Sequence, residues 1–85
     1  MPYAVEFSPS ARREFRKLAR EVQRSLRPRL DALATEPRPA GAKKLKGSDD
    51  LWRIRVADYR IIYEIRDRIL VVLVMRVGHR REVYR

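Results

Sequence analysis

Between residues 51 and 77 the apolar residues stop recurring at helical spacing and begin to alternate, and one short turn fixes the register of that stretch. Leu51–Val56 and Tyr59–Arg66 read as strands on either side of Ala57-Asp58, a two-residue hairpin loop. Counting outward, Val56 faces Tyr59, Ile54 faces Ile61 and Trp52 faces Tyr63, so six large apolar groups share one side. The other side then carries Arg55 facing Arg60, with Arg53 two residues along from Arg55. Side chains alternate with a period of two, so a one-residue slip in this turn would send the arginines to the opposite face. Asp67-Arg68 reads as the next turn. Residues 69–77 follow as a third strand, apolar almost throughout, as suits a central strand covered on both faces.

Upstream the period is helical. Residues 3–7 read as a short strand, after which Ser8 can cap exposed backbone N–H groups and Pro9 suits a first helical position. Ala11, Phe15, Leu18 and Ala19 form one apolar stripe, and Val22, Leu26, Leu30, Leu33 and Ala34 continue it. The spacing predicts two helices in a hairpin with a break near Arg20. Pro28 is awkward there, since an interior proline costs about 3 kcal/mol. Glu36-Pro37-Arg38-Pro39 ends the helical region. Residues 40–50 form a polar, basic loop containing Lys43, Lys44, Lys46 and Gly47. The order β-α-α-β-β-β gives an α+β fold, a helical hairpin packed on one face of a mostly antiparallel sheet, in one domain spanning 1–85.

A chain of 85 residues buries only about 60–65% of its unfolded surface, so an obligate partner would add useful stability. There is no cysteine, which removes disulfides, thiolate catalysis and the usual zinc sites, and a single His79 is too few for a metal cage built from protein alone. No cofactor is expected. Residues 1–6 lack the cationic and apolar segments of a signal peptide, and no apolar run is long enough to span a bilayer. The expectation is a cytoplasmic protein with no membrane partner.

The net charge of +10 implies an anionic partner, and the placement of the arginines says which kind. Like charges directly opposite on a sheet destabilise it by a few tenths of a kcal/mol to about 1 kcal/mol. Three guanidiniums kept together are explained most simply by an anion. The planar fork of arginine suits phosphate, to which it donates two hydrogen bonds at once. The bland alternative is three solvated arginines splayed apart and neutralised by Glu64 on the same face. Arg12, Arg13 and Arg16 on the first helix, with Lys43, Lys44 and Lys46 in the loop, are further candidates for RNA or rRNA contact. Near the C-terminus Arg80 and Tyr84 add a guanidinium and an aromatic ring that can stack a base or relay a proton.

The segments Leu51-Trp52-Arg53-Ile54-Arg55, Tyr59-Arg60-Ile61-Ile62-Tyr63 and Gly78-His79-Arg80-Arg81-Glu82-Val83-Tyr84 resemble the RelE branch of the RelE/ParE toxin superfamily. The resemblance covers nearly the whole chain. It implies a compact RelE-like ribonuclease fold and the toxin half of a type II toxin–antitoxin pair. RelE-like toxins enter the ribosomal A site of the 70S ribosome and cut the mRNA there, which blocks translation. The family's cleft residues fall on Arg53, Arg55, Arg60, Arg80 and Tyr84 as the catalytic set. The implied reaction is attack of a ribose 2′-OH on the adjacent phosphate, a chemistry that needs no metal.

One departure concerns the base. Well-known members carry lysines where this chain has Arg53 and Arg55, and arginine effectively never gives up its proton. His79, with an ordinary pKa near neutrality, is the alternative acid or base. The resemblance also implies an acidic, partly disordered RelB-like antitoxin that folds on the toxin, with any DNA contact made indirectly through that complex. Two other functions stay open on the sequence: a ParE-like inhibitor of DNA gyrase, and a non-catalytic RNA- or ribosome-binding module.

Overall fold

Ser8 and Pro9 begin the first helix as a cap and a first-turn proline should. The Ser8 hydroxyl accepts the Ala11 N–H at 3.1 Å, and α1 runs Pro9–Lys17. After a break at Leu18 and Ala19, α2 covers Arg20–Ala32. Gln23 closes the break, its side-chain amide donating to the Leu18 carbonyl at 2.8 Å, one of the acceptors that a helix end leaves without an intrahelical partner.

Pro28 lies inside α2 on its exposed side. Its ring removes one hydrogen bond of the helix, and nothing about its exposed position compensates for that. Pro28→Ala should therefore raise stability by about 2 kcal/mol, the interior-proline penalty less the entropy a proline removes from the unfolded chain. Urea unfolding at unchanged m-value measures it.

The computed structural model describes residues 2–47, 50–79 and 81. Five strands, β1 (Ala4–Phe7), β2 (Lys43–Lys44), β3 (Leu51–Val56), β4 (Tyr59–Arg66) and β5 (Val71–His79), form one sheet in the order β1-β5-β4-β3-β2. Only β1 and β5 are parallel; the other neighbours are antiparallel. The hairpin register agrees with the count from the turn at every position: Val56 pairs with Tyr59, Arg55 with Arg60, Ile54 with Ile61, and Trp52 with Tyr63. Ala57 makes the tight turn with φ at 54°, a left-handed conformation that side chains rarely adopt.

The helices cover one face of this sheet. Ala11, Phe15, Leu26, Leu30 and Leu33 pack on Ile54, Ile61, Tyr63, Ile65, Val72, Val74 and Val77, all of them buried. Among the described residues no helix is long and apolar enough to cross a membrane.

Three features differ from the reading of the sequence. The basic loop contains a strand, β2, only two residues long. β5 begins at Val71 rather than residue 69, because Asp67–Ile69 makes a 3₁₀ turn that closes with Leu70 in the left-handed region (φ 54°). β5 is interior, but it is not covered on both faces. Val72 and Val74 are buried while Val71 and Leu73 are half-buried, since the helices pack on one side only. Near its middle β5 also carries a bulge at Met75: Tyr63 pairs with Val74 but Ile62 pairs with Arg76.

Tyr63 is fully buried and donates its hydroxyl hydrogen to the Pro37 carbonyl at 2.7 Å, which ties the chain leaving α2 to the centre of the sheet. Burial pushes its pKa up to about 12. The neutral phenol is thus favoured by folding, and its contribution is complete below the unfolded value of 10.0 and lost as pH rises toward about 12. Wild-type stability should fall more steeply between those two values than that of Tyr63→Phe. The variant itself should be less stable at neutral pH by about 1–2 kcal/mol, from the lost bond and the carbonyl left behind. Unfolding curves at stepped pH test both.

Candidate functional site

The face of the sheet turned away from α1 and α2 is where the arginines converge. Arg53 and Arg55 on β3 and Arg60 on β4 project from it, and Lys43 on β2 sits directly across from Arg53. The Arg55–Arg60 pair is of the closer kind. Leu45 donates its N–H to the Leu51 carbonyl, so the backbone groups of Leu51, Arg53 and Arg55 point toward β2. Arg55 and Arg60 therefore face each other without exchanging backbone bonds, the arrangement in which opposite Cα atoms are only about 4.5 Å apart.

Ile62 shows how these side chains lie. It is on the face without helices, yet only 8% exposed. Its neighbours there are Arg53 directly across β3, Arg60 two residues before it, and Arg76 directly across β5. The Nε atoms of Arg53 and Arg60 are shielded from solvent as well. Ile62 and the inner parts of these two guanidinium side chains are thus both withdrawn from solvent on this face. Glu64, an acid on this face, accepts from the Arg66 guanidinium.

Strand alternation separates the other candidates. Gly78 pairs with Arg60 and presents no side chain to the arginine face, which leaves room beside it. His79 pairs with Tyr59 and meets its ring edge-on, centroids 5.7 Å apart. That puts His79 on the helix side of the sheet, with Val77 and Tyr59, and not among the arginines. Its Nδ1 accepts the Arg81 N–H at 3.3 Å. Period-two alternation thus turns the His79 side chain away from Arg53, Arg55 and Arg60.

Lys44, paired with Trp52, is likewise on the helix side, and Lys46 is exposed in the turn before residue 48. Arg12, Arg13 and Arg16 are exposed on α1, and Arg12 and Arg16 rim a groove floored by Phe7 and Phe15 on the opposite side of the molecule. Arg80 and Tyr84 lie outside the described residues.

Two residues that the pattern reading passed over matter here. Arg29, in the last turn of α2, lines a cleft of about 240 Å³ with Gly41, Lys43, Arg53 and Arg55. Helical periodicity marks it only as one exposed arginine among many. Glu14 holds β5 beyond the end of β1. Its carboxylate accepts the Val77 N–H at 2.9 Å and Arg76 Nε at 3.0 Å. An acid standing alone in the arginine-rich first helix was the signal for it.

The family model for the ParE toxin of type II toxin–antitoxin systems matches residues 5–84. The chain is 36% identical over 88 residues to the mRNA interferase toxin RelE of Escherichia coli, covering 99% of this chain and 92% of that protein. Among solved structures, the RelBE2 toxin–antitoxin complex of Mycobacterium tuberculosis superposes with a TM-score of 0.83 at 30% identity, covering 93% of this chain and 92% of that one. The intact RelBE toxin–antitoxin complex of Escherichia coli gives 0.80 at 34% identity, covering 91% of this chain and 95% of that one. The sheet order, the helical hairpin and these matches agree, and the chain belongs to the RelE/ParE toxins of type II toxin–antitoxin systems.

Proposed function

We propose that this toxin is a ribosome-dependent endoribonuclease that cuts mRNA in the A site. The observation that carries this reading is the opposed Arg55–Arg60 pair, with Arg53 beside it on the face that neither α1 nor α2 covers. Such a pair is unfavourable alone and favourable around a phosphate. Likeness to a protein named as an mRNA interferase supports the substrate class.

In the proposed reaction the ribose 2′-OH loses its proton and attacks the adjacent phosphate, closing a 2′,3′-cyclic phosphate as the bond to the 5′-oxygen of the next nucleotide breaks and that oxygen takes up a proton. Arg60, with Arg80, stabilises the charge that grows on the phosphoryl oxygens, and Arg55 and Arg53 hold the flanking backbone. Arginine stays protonated, so none of these takes the 2′-OH proton. Tyr84 is the member of the set with a hydroxyl for proton transfer and a ring for stacking. Much of the remaining barrier is met by positioning, which the ribosome supplies. A RelB-like antitoxin is the proposed partner, as in the RelBE complexes of similar fold.

The test is primer extension on mRNA held in purified 70S ribosomes with an empty A site. Breaks in the A site by the wild type, absent with Arg80→Ala and Tyr84→Ala, are expected. No breaks above background, together with inhibition of supercoiling by DNA gyrase, would overturn the reading in favour of the ParE-like activity after which the family model is named.

A further inference from the structure

The cleft at the free edge of β3 has a composition that the catalytic reading does not require. Strand β2 pairs with β3 only at Trp52 and Arg53. Gly41 then turns the chain away, with φ at +91°, just where the next pairing would be with Arg55. Backbone alternation directs the Arg55 N–H toward the same edge as that of Arg53, and no described residue stands there to accept it. What stands there is the cleft of about 240 Å³, into whose lining Arg29 enters from α2 and Lys43 from β2, beside Arg53 and Arg55. Four cationic residues and a strand-edge N–H thus meet around one small concavity at the edge of the sheet. Two of the four, Arg53 and Arg55, also belong to the arginine face.

We propose that this cleft is a binding subsite for one phosphodiester of single-stranded RNA, adjacent to the phosphate that is cut. The inference rests on the ribonuclease reading for its place along the strand. Charge and donor geometry carry the ligand class. Guanidinium forks and a backbone N–H are donors only, and they suit the oxygens of a phosphate. The cleft shares Arg53 and Arg55 with the face where the opposed Arg55–Arg60 pair would receive its own phosphate, so one RNA strand can reach both. Arg29 and Lys43 would give the strand its direction across the sheet, since they lie on the β2 side of Arg55 and Arg60 lies on the β4 side.

The experiment titrates the protein with a short fluorescent RNA whose 2′-hydroxyls are all methylated, so that it binds but is not cut, at a series of salt concentrations. Arg29→Ala removes a cation, and A40W fills the cleft from an exposed position on its lining. Each variant is first shown to keep the wild-type thermal midpoint. Arg29→Ala should weaken binding and make the plot of log K against log salt shallower by about 0.7, the loss of one single-strand phosphate contact. A40W should weaken binding similarly.

Affinity and slope equal to wild type in both variants would overturn the proposal. So would unchanged RNA binding with weakened binding of a glutamate-rich peptide, which would give the cleft to a protein partner. Cleavage by the wild type in 70S ribosomes is followed in parallel. Cleavage with unchanged slopes fails the subsite alone, and changed slopes without cleavage fail the ribonuclease reading and keep an RNA subsite.

Discussion

Arg60→Gln should cut mRNA in the ribosome at least about 10²-fold more slowly than the wild type in single-turnover assays, as expected for loss of a donor aimed at developing charge. The Arg55–Arg60 pair places like charges on the closer type of antiparallel pair, and removing the Arg55 charge should relieve a repulsion of a few tenths of a kcal/mol to about 1 kcal/mol. Glutamine is chosen because Arg60 Nε is buried, and truncation to alanine would mix lost packing with lost charge. Arg55→Gln provides the cleaner stability reading, since Arg55 is exposed. A variant that loses both cleavage and stability would mean that these arginines serve the fold. A variant that loses cleavage and gains stability would mean that the fold tolerates them for a phosphate, as functional sites often store unfavourable contacts.

Most of this face was legible before any coordinates, because a two-residue turn and strict alternation leave one register. Ala57-Asp58 fixed which of Arg53, Arg55 and Arg60 share a side, and the core residues of both helices followed from their spacing. The facing of His79 was not legible in the same way, because β5 is apolar on both faces and the bulge at Met75 breaks its alternation. β2 escaped notice because two lysines have no apolar period to read. The parts of Arg29 and Glu14 were hidden for a different reason. Each matters through a contact with an element far away in the chain, and although the lone acid of the first helix marks Glu14 as unusual, a window of sequence does not name its partner.

Glu14 leads to the other large effect. β1 ends at Phe7, opposite Val74, so the outer edge of β5 would run on without a neighbour just where it approaches the arginine face. The Glu14 carboxylate takes that place, accepting from the Val77 backbone and from the Arg76 side chain. Val77 is only 1% exposed, so Glu14→Ala strands a buried N–H and should cost about 1–3 kcal/mol. The consequence for cleavage should exceed that of a general loss of fold. The residue after Val77 is Gly78, paired with Arg60, and two residues further comes Arg80. With the tether gone, the rate at saturating ribosomes should drop by about 10-fold or more, as misplacement of catalytic groups produces, while half-saturation stays near the wild-type value. Glu14→Gln separates the two contacts, since its carbonyl can still accept from Val77 while its amide cannot accept from Arg76. If the backbone tether matters most, Gln restores most of the rate and the slow exchange of the Val77 amide proton. If Arg76→Ala is as slow as Glu14→Ala and Gln restores nothing, the ion pair holds the strand end instead. Wild-type cleavage by Glu14→Ala at temperatures where it stays folded would leave Glu14 with a purely structural part.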